Sequence, residues 1–493
     1  MRKTKKILAV FSVLALIICS PSKVMAASTF NTYIYDEWDE SVEAPDSYKP
    51  LFSMNGIQMG AGLLNIPLDF FIDAKGDIYL ADSGNSRILV LNADLQLKEI
   101  IESVLLNGEP ILLEDVEGLY VTENGRIYAC QTSLSRVLVI ENGVVTGLIE
   151  KPVSNLVGDD FVFAPTKIGI DIYGRAYVLS KGCYTGFLQF DTDGTFMSFY
   201  GANKVELTAD VVFNYMWKNI LSDKQRAAMT SIIPIEYSNI DCGSDGFVYS
   251  STVGTQIPKS QIKKLNPLGN NIYFTVGKEE FNFGDEEMTF EKGKALQPAF
   301  TDVKVNSDGF IFATDLTTGR VFERDWEGNL VAVFGGIGNQ VGCFNAPVAI
   351  DTYAGKVYVL DRLKGNITVF EPTEYGKLVE EAILLYDKGD YDNAVNVWKK
   401  VLIKNSNSSL AYSGIGKSLS QKGEYKESLD YLKYSGDRYN YSKAFGKNRL
   451  YLVRTYGVYG ICFLLAIFIV ISGFIKINKY RRRKENGDVK KEN

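Results

Sequence analysis

Residues 76–91 read GDIYLADSGNSRILVL, two short apolar segments separated by a polar turn. Aromatic and β-branched residues dominate IYLA and RILVL, which is typical of β-strands. Asp82, Asn85 and Arg87 crowd the turn between them and resemble a binding site. The other segments of this type in the chain decide whether these three residues bind a ligand or only form a turn.

The stretch belongs to an internal repeat with a period of roughly 50 residues in its regular part. Each copy has an apolar strand, a glycine turn, an apolar–aromatic–apolar strand, a second polar turn and a further strand. The turn glycine at 76 recurs at Gly125, Gly174, Gly246, Gly309 and Gly355. Four short strands per unit, repeated six times, predict an all-β fold, a six-bladed β-propeller. The acid, amide and arginine of DSGNSR are not kept together in the other copies, so we interpret them as turn residues.

The ends of the repeat region predict how the ring closes. The last copy runs out after its third strand at Phe370, whereas Leu51-Phe52 precedes a glycine-rich segment that matches residues 333–347. We therefore expect the strand around Leu51–Ser53 to complete the sixth blade, which leaves no open edge in the ring. The preceding TYIYDEWDE (32–40) is expected to pack against the outside.

The repeat resembles the NHL repeat over roughly residues 50–370. The resemblance is carried by a proline-led first strand, the glycine turn, the IYLADS strand and the NSRILVL strand. It implies a propeller that binds protein, nucleic acid or carbohydrate. A minority of related propellers are lactonases or lyases with a metal in the central channel.

A second repeat follows the propeller. Gly389-Asp390-Tyr391, with Ala394 and Trp398, matches Gly423-Glu424-Tyr425, with Ser428 and Leu432. This spacing resembles the tetratricopeptide repeat, which predicts helical hairpins over residues 371–450. A third helix at about 437–450 is expected to cap them and to run towards a membrane. Two roles stay open for this region: a helical stalk and a peptide-binding groove.

Both ends of the chain carry targeting signals. Residues 1–26 combine a basic start, an apolar run and a Val24-Met25-Ala26 cleavage pattern, which predicts a signal peptide. The apolar run within residues 451–476 is long enough to span a bilayer, and the basic tail at 477–493 is expected in the cytoplasm. Residues 27–370 (the propeller) and the helical repeats are then extracytoplasmic, on a protein that crosses the cell membrane once.

The whole arrangement resembles a group of bacterial membrane proteins that are often encoded beside carbohydrate uptake transporters. The resemblance extends to TYIYDEW, to residues 223–241 and to YSKAF (441–445). Such relatives often end in a multi-helix membrane domain, whereas this chain has one apolar helix. A transport-linked role of that domain therefore does not carry over.

Composition excludes several functions. The chain contains no histidine, which removes Ser-His-Asp and Cys-His catalysis and histidine-based zinc sites. The net charge is −6, and the part between the two basic ends is more acidic still, which argues against nucleic acid as a partner. The ectodomain cysteines lie far apart without a CxxC pair, so we interpret them as buried small hydrophobes.

A candidate site follows from aligning the blades on their glycines. The position seven residues earlier, near the start of each innermost strand, holds Asp69, Gly118, Lys167, Asn239 and Asp302, with Ala349 after a one-residue gap. Asp69, Lys167, Asn239 and Asp302 are expected to ring the mouth of the channel. They either bind a small hydroxylated ligand or a cation such as calcium, or pair with one another.

A long insert at 201–236 joins the third and fourth blades. Its apolar helical face includes Phe213 and Trp217, which we expect either to pack on the propeller or to dock a partner. No catalytic residue is assigned, and no cofactor is required unless the channel holds calcium.

The sequence thus predicts a membrane-anchored binding or scaffold protein for a protein or carbohydrate partner outside the cell, with no nucleic acid bound. The alternative is a metal-dependent propeller hydrolase, similar to a lactonase or esterase, that acts on sugar-derived substrates.

Overall fold

Each of the six glycine turns joins the first two strands of one antiparallel β-sheet. All six glycines have positive φ, between 72° and 87°. Glycine adopts this backbone conformation at little cost in free energy because it has no Cβ. The computed structural model describes residues 29–202 except 37 and 39, then 236–253, 260–273, 282–285, 289–291, 294–296 and 298–488. The predicted signal peptide and the insert residues 203–235 lie outside the described residues.

The sheets form six blades, and strands are numbered along the chain. Blade 1 contains β4 (Pro67–Ile72), β5 (Ile78–Asp82), β6 (Arg87–Leu91) and β7 (Leu97–Ile101). Blade 2 contains β10 (Val116–Val121), β11 (Ile127–Gln131), β12 (Arg136–Glu141) and β13 (Val144–Glu150). Blade 3 contains β14 (Pro165–Ile170), β15 (Ala176–Ser180), β16 (Phe187–Phe190) and β17 (Phe196–Tyr200).

The second half repeats this order. Blade 4 contains β18 (Tyr237–Cys242), β19 (Val248–Thr252) and β20 (Ile262–Leu265). Blade 5 contains β23 (Phe300–Val305), β24 (Ile311–Asp315), β25 (Arg320–Arg324) and β26 (Leu330–Gly335). Blade 6 contains β27 (Pro347–Tyr353), β28 (Lys356–Asp361), β29 (Asn366–Pro372) and the N-terminal β3 (Tyr48–Asn55).

The ring closes as the sequence predicts. β3 pairs with β29 in antiparallel register from Asn55 opposite Asn366 to Tyr48 opposite Pro372. The innermost strands β4, β10, β14, β18, β23 and β27 contact one another in this order, and β27 returns to β4. The six-bladed β-propeller is therefore confirmed, and its central channel is lined by these six strands.

Among the described residues, three short strand pairs lie outside the four-strand pattern. They are β1 (Tyr33–Tyr35) with β2 (Ser41–Glu43), β8 (Ser103–Leu106) with β9 (Glu109–Leu112), and β21 (Thr289–Glu291) with β22 (Lys294–Leu296). The first pair packs against β26 on the outside of blade 5, as expected for TYIYDEWDE. The second adds to the outer edge of blade 2 through a parallel contact between β8 and β13, which the sequence did not predict.

The core lies between neighbouring blades. Ile78, Leu80 and Leu89 of blade 1, for example, form one buried cluster with Leu360 and Ile367 of blade 6. Each such side chain contributes about 1.5–3 kcal/mol when fully buried. The ectodomain cysteines that the structure describes are free thiols that lie within this packing, and Cys242 is half-buried.

Five helices follow the propeller. They are α1 (Glu374–Asp387), α2 (Tyr391–Lys404), α3 (Ser409–Lys422), α4 (Tyr425–Tyr434) and α5 (Arg438–Asp488). Thr373, Asp390 and Ser408 cap α1, α2 and α3 by accepting backbone N–H groups three residues on. Trp398 of α2 packs on Gly414 of α3, where an added Cβ would lie 2.4 Å from the indole.

α5 joins the helical region directly to the apolar C-terminal segment. The helix is continuous from residue 438 and includes the predicted capping helix and the apolar run. By length and composition it is the one helix in the described part of the chain that is able to cross a membrane.

Candidate functional site

The predicted polar position occupies the same place in all six blades. Asp69, Lys167, Asn239 and Asp302 are each the third residue of an innermost strand. In every innermost strand the register shifts between the first and third residues, which is a β-bulge. The bulge turns the third side chain towards the channel, and all four residues line one narrow cavity there.

These four side chains are paired with one another. The Lys167 ammonium lies 2.7 Å from Asp69 Oδ1, although the angle is poor for a directed hydrogen bond. The Asn239 amide donates to Asp302 Oδ1. The pairing that we gave as the alternative to ligand binding is therefore present in the structure.

The remaining carboxylate oxygens hold neighbouring blades together. Asp69 Oδ2 accepts the backbone N–H of Leu119 at 2.9 Å, which joins blade 1 to blade 2. Asp302 Oδ2 accepts the N–H of Ile350 at 2.7 Å, which joins blade 5 to blade 6. These carboxylates therefore have a structural role whether or not a ligand enters the channel.

A second polar layer lies two residues further along the same strands, and sequence reasoning missed it. Lys304 Nζ lies 3.4 Å from Asp241 Oδ1 and 3.2 Å from Asp351 Oδ1. Asp351 Oδ2 accepts the N–H of Ile72 at 2.8 Å and Asp241 Oδ2 that of Val305 at 2.9 Å, again across blade boundaries. The signal was available, because residues two apart on a strand share one side.

Burial shifts the ionisation of the channel groups. It raises the pKa of Asp302 well above its usual range, against the opposing effect of the Lys167 ammonium. It raises the pKa of Asp351 in the same way, against Lys304. Burial lowers the pKa of Lys304, but the carboxylates of Asp241 and Asp351 outweigh it and raise that pKa above its ordinary value. Lys304 is therefore a permanent cation at neutral pH.

Glycine completes both layers where a side chain does not fit. A Cβ at Gly118 would lie 2.2 Å from the Thr166 carbonyl oxygen, and one at Gly169 would lie 2.9 Å from Cys242 Sγ. Inner strands approach closely at these two points, so blade 2 in the first layer and blade 3 in the second place no side chain in the channel.

The residues of the channel do not form a calcium site. The cavity that they line has a volume of about 30 Å³, which suits a few water molecules. Calcium requires six to eight oxygen ligands, and here a lysine occupies each layer. Within the described residues, no three carboxylates or thiolates come together in a metal-binding arrangement. We therefore derive no step through a channel metal.

The loops that enter the six innermost strands, and the turns between second and third strands, lie at one end of the channel. We call this end the entering-loop face. Phe213 and Trp217, the other predicted site residues, belong to an insert that starts and ends there but lie outside the described residues.

A buried polar residue lies six positions after each turn glycine. Hydrogen bonds from these residues hold the loops of the entering-loop face in place. Asp82, the first of them, accepts the N–H of Asn65 at 2.7 Å, the amide of Asn85 at 2.8 Å and Nε of Arg87 at 2.7 Å. Arg87 also donates to the Ala61 carbonyl at 2.9 Å. The residues that fill the same position in the later blades are Gln131, Ser180, Thr252, Asp315 and Asp361.

Four of these residues also bond the loop that enters their own blade. Gln131 donates to Glu114 O, Ser180 accepts from Ala164 N, Asp315 from Ala299 N and Asp361 from Asn345 N. DSGNSR is thus more than a turn, because its Asp82 also attaches the entering loop of its own blade. We call a buried residue that attaches the entering loop in this way a clamp.

The clamped loops expose aliphatic side chains. We define the apolar arc as loops 56–66 and 336–346 with turns 83–86, 132–135 and 316–319, which belong to the adjacent blades 5, 6, 1 and 2. None of these segments contains an acidic or basic residue. Their exposed large hydrophobic residues are Ile57, Leu63, Ile66, Leu134, Leu316, Ile337 and Val341.

The opposite face differs. Its exposed large hydrophobic residues in the described turns are Ile172, Tyr173 and Leu268. Charged side chains such as Lys98 with Asp77, and Lys264 with Asp245, form ion pairs at that end. The entering-loop face therefore exposes more aliphatic side chains in its described loops and turns than the opposite face does.

The helical region contacts the propeller directly. Tyr48 of β3 donates to Glu380 of α1 at 2.7 Å, and Lys417 of α3 pairs with Glu327 of blade 5. Gly376 of α1 lies so close to β3 that an added Cβ would be 2.3 Å from the Ser47 carbonyl oxygen. The helices are therefore docked on blades 5 and 6.

The fold and the site define the class of protein: a six-bladed β-propeller with an ion-paired channel, an exposed apolar loop face and a docked C-terminal helical region. No family model matches the chain, so the NHL and tetratricopeptide resemblances stay predictions. No curated protein matches it either.

Solved propeller structures are similar only at a distance. Virginiamycin B lyase from Staphylococcus aureus has 11% identity and a TM-score of 0.41, over 66% of this chain and 100% of that one. A protein of unknown function from Bacteroides thetaiotaomicron has 14% identity and a TM-score of 0.41, over 69% and 75% of the two chains. The extracellular domain of a putative one-component system from the same organism has 12% identity and a TM-score of 0.33, over 62% and 33%. Values this low assign no function, and the fold rests on the six sheets.

Proposed function

We propose that this chain is a membrane-anchored extracytoplasmic binding protein that presents the entering-loop face of its propeller to a protein partner. The observation that carries the proposal is the apolar arc, where seven large aliphatic side chains remain exposed on one face, although Arg87 and Lys364 bond to its loops. Leu63 is 74% exposed there, and burial of such a side chain at an interface contributes about 1.5–3 kcal/mol.

A protein surface fits the arc better than a glycan does. The exposed groups are aliphatic, whereas sugar hydroxyls need polar partners when they lose water. The channel beneath the face adds no pocket for a sugar because its polar groups are already paired. The resemblance to proteins encoded beside carbohydrate uptake transporters supports a partner that takes part in carbohydrate uptake, and a glycan ligand is an outcome that the test below would detect.

The helical region and α5 supply the anchor in this proposal. Tetratricopeptide-like hairpins docked on blades 5 and 6 space the propeller from the bilayer, and α5 continues into the apolar run. The basic residues after Ile475 remain in the cytoplasm under the positive-inside rule.

Site-specific photo-crosslinking in native membranes tests the function. A photoreactive residue at Leu63 or Ile337 is expected to capture one defined protein, and the same probe at Leu268 on the opposite face is not. The captured protein is then purified and titrated against the full chain in detergent.

The titration uses a double variant and a matched control. Leu63→Asp with Ile337→Asp is expected to weaken binding at least tenfold, because it puts two charges into an apolar interface. Leu268→Asp should leave the affinity unchanged. Equal losses in both variants, equal crosslinking from both faces, or capture of a glycan alone would contradict the proposal.

A further inference from the structure

A buried glutamate and a half-buried one lie where the helical region meets the propeller. Glu323, the fourth residue of β25, is fully buried, and neither of its carboxyl oxygens has a well-formed hydrogen bond. Glu380 approaches from α1, and the hydroxyl of Tyr48 lies between the two carboxyls and donates to Glu380 Oε1 at 2.7 Å. Three separate segments of the chain, β25, β3 and α1, therefore meet at one hydroxyl.

A single hydroxyl proton satisfies only one of the two carboxyls. The Tyr48 ring is held by stacking on Phe334, with a centroid distance of 4.6 Å, and by an edge contact with Phe312 at 6.3 Å. Because its proton goes to Glu380, an ionised Glu323 would be a buried charge without a partner, which is costly. A protonated Glu323 instead donates to the Tyr48 oxygen and completes a chain of hydrogen bonds from blade 5 to α1.

We propose that Glu323, Tyr48 and Glu380 form an acid-closed latch between the propeller and the helical region, which tightens when Glu323 is protonated and loosens when it ionises. The latch is independent of the proposed function, because it concerns the joint and not the entering-loop face.

The surrounding charges support this assignment. Within the described part of the chain, no lysine or arginine forms an ion pair with Glu323. Arg324, the next residue on β25, directs its guanidinium to the carbonyls of Phe283 and Gly328, and Lys417 of α3 pairs with Glu327.

The other charged groups near the pair shift the pKa of Glu323 and the pKa of Glu380 in different ways. Asp325 at the end of β25 disfavours the charge on Glu323, and Asp308, in the turn after β23, disfavours the charge on Glu380. Lys377 of α1 favours the charge on Glu380. Glu380 is therefore the member of the pair that keeps its charge, and Glu323 is the member that holds the proton.

The direction of the pH effect follows from the burial. Burial, and then the neighbouring Glu380 carboxylate, raise the pKa of Glu323 well above its usual range, and burial raises the pKa of Glu380. With α1 undocked, Glu323 returns towards an ordinary pKa of about 4.3. The docked state therefore binds more protons, so its advantage is complete below about pH 4.3 and falls as the pH rises towards the raised pKa.

Hydrogen–deuterium exchange of the full chain in detergent tests the latch. Wild type and Glu323→Gln are compared at the same pH, which cancels the intrinsic pH dependence of exchange. At pH 8 the opening of α1 (374–387) is expected to be at least tenfold more frequent in wild type, and at pH 4, below the ordinary pKa of Glu323, the two should agree within about twofold. Glu380→Gln should reduce opening at pH 8 in the same direction. Glu381→Gln, an exposed neighbour on the same helix, is the matched control and should follow wild type.

Infrared difference spectroscopy between wild type and Glu323→Gln provides a second measurement, because the buried acids of the channel contribute equally to both spectra. At pH 7 the difference is expected to contain a protonated carboxylic acid band. The latch is rejected if the difference contains no such band, or if α1 exchanges equally in wild type and Glu323→Gln at pH 8.

Discussion

Single polar residues fix the geometry of the entering-loop face. The expectation that Asp82 and Asn85 bond within their own turn is confirmed, because the Asn85 amide donates to Asp82 Oδ2. The same carboxylate also receives Asn65 N–H from the loop before the innermost strand. The turn motif in the sequence predicts the contact between Asp82 and Asn85. The contact between Asp82 and Asn65 forms only because the antiparallel pairing of β4 and β5 brings that loop beside the turn.

Replacement of Asp82 measures the strength of this clamp. Asp82→Ala removes the partner of Arg87 and leaves the Asn65 amide without its acceptor. We expect a loss of roughly 3 kcal/mol of unfolding free energy, as for a broken buried ion pair. Urea denaturation of the full chain in detergent gives the value.

Asp94→Ala is the control for that experiment. Asp94 is exposed in another turn of blade 1, and its replacement should change the unfolding free energy by no more than about 0.5 kcal/mol. Similar losses in the two variants would show that Asp82 is not a clamp.

At the scale of the strand, the bulge decides which residues face the channel. The alignment on turn glycines identified the third position of each innermost strand, and the structure brings Asp69, Lys167, Asn239 and Asp302 to one cavity. It did not identify Asp241, Lys304 and Asp351, because they lie two residues beyond the aligned position and reach the channel through the alternation of side chains along the strand. Both layers contain ion pairs and hydrogen bonds between blades.

The close approach of β10 and β14 gives a prediction at the same scale. Gly118→Ala would place a methyl group against the Thr166 carbonyl, so blades 2 and 3 must separate locally. We expect a loss of about 1–3 kcal/mol in unfolding free energy. Thermal or urea unfolding of the full chain measures it.

Gly446→Ala in α5 is the matched substitution. An added Cβ meets no atom within 4 Å there, and alanine favours a helix over glycine by roughly 0.5–1 kcal/mol. A Gly118→Ala chain as stable as Gly446→Ala would contradict close packing between the two blades.

At the scale of the whole molecule, α5 couples the folded region to the apolar segment without an intervening loop. Ala444 is fully buried among the helices, and the apolar run begins on the same helix near Gly457. Thirteen residues of helix span roughly 20 Å, so with the apolar run in a bilayer, as we propose, this coupling would set the distance between the helical region and the membrane.

Truncation tests the anchor. A chain that ends after Tyr456 is expected to be released as a soluble protein, because it lacks the apolar run, whereas the full chain should resist alkaline extraction from membranes. Release of the full chain by alkaline extraction would show that α5 does not span the bilayer.

The sequence by itself determined the number of blades and the order of the main elements. Strand periodicity, glycine turns, helix caps and the apolar C-terminal run are local signals, so the six blades, the closing strand and the helical hairpins were predictable from them. Tertiary structure decided which polar groups meet. The channel pairs, the clamp on loop 56–66 and the Glu323–Tyr48–Glu380 contact join residues far apart in the chain. Their partners are selected by the closure of the ring and by the docking of α1, and no local pattern in the sequence encodes either contact.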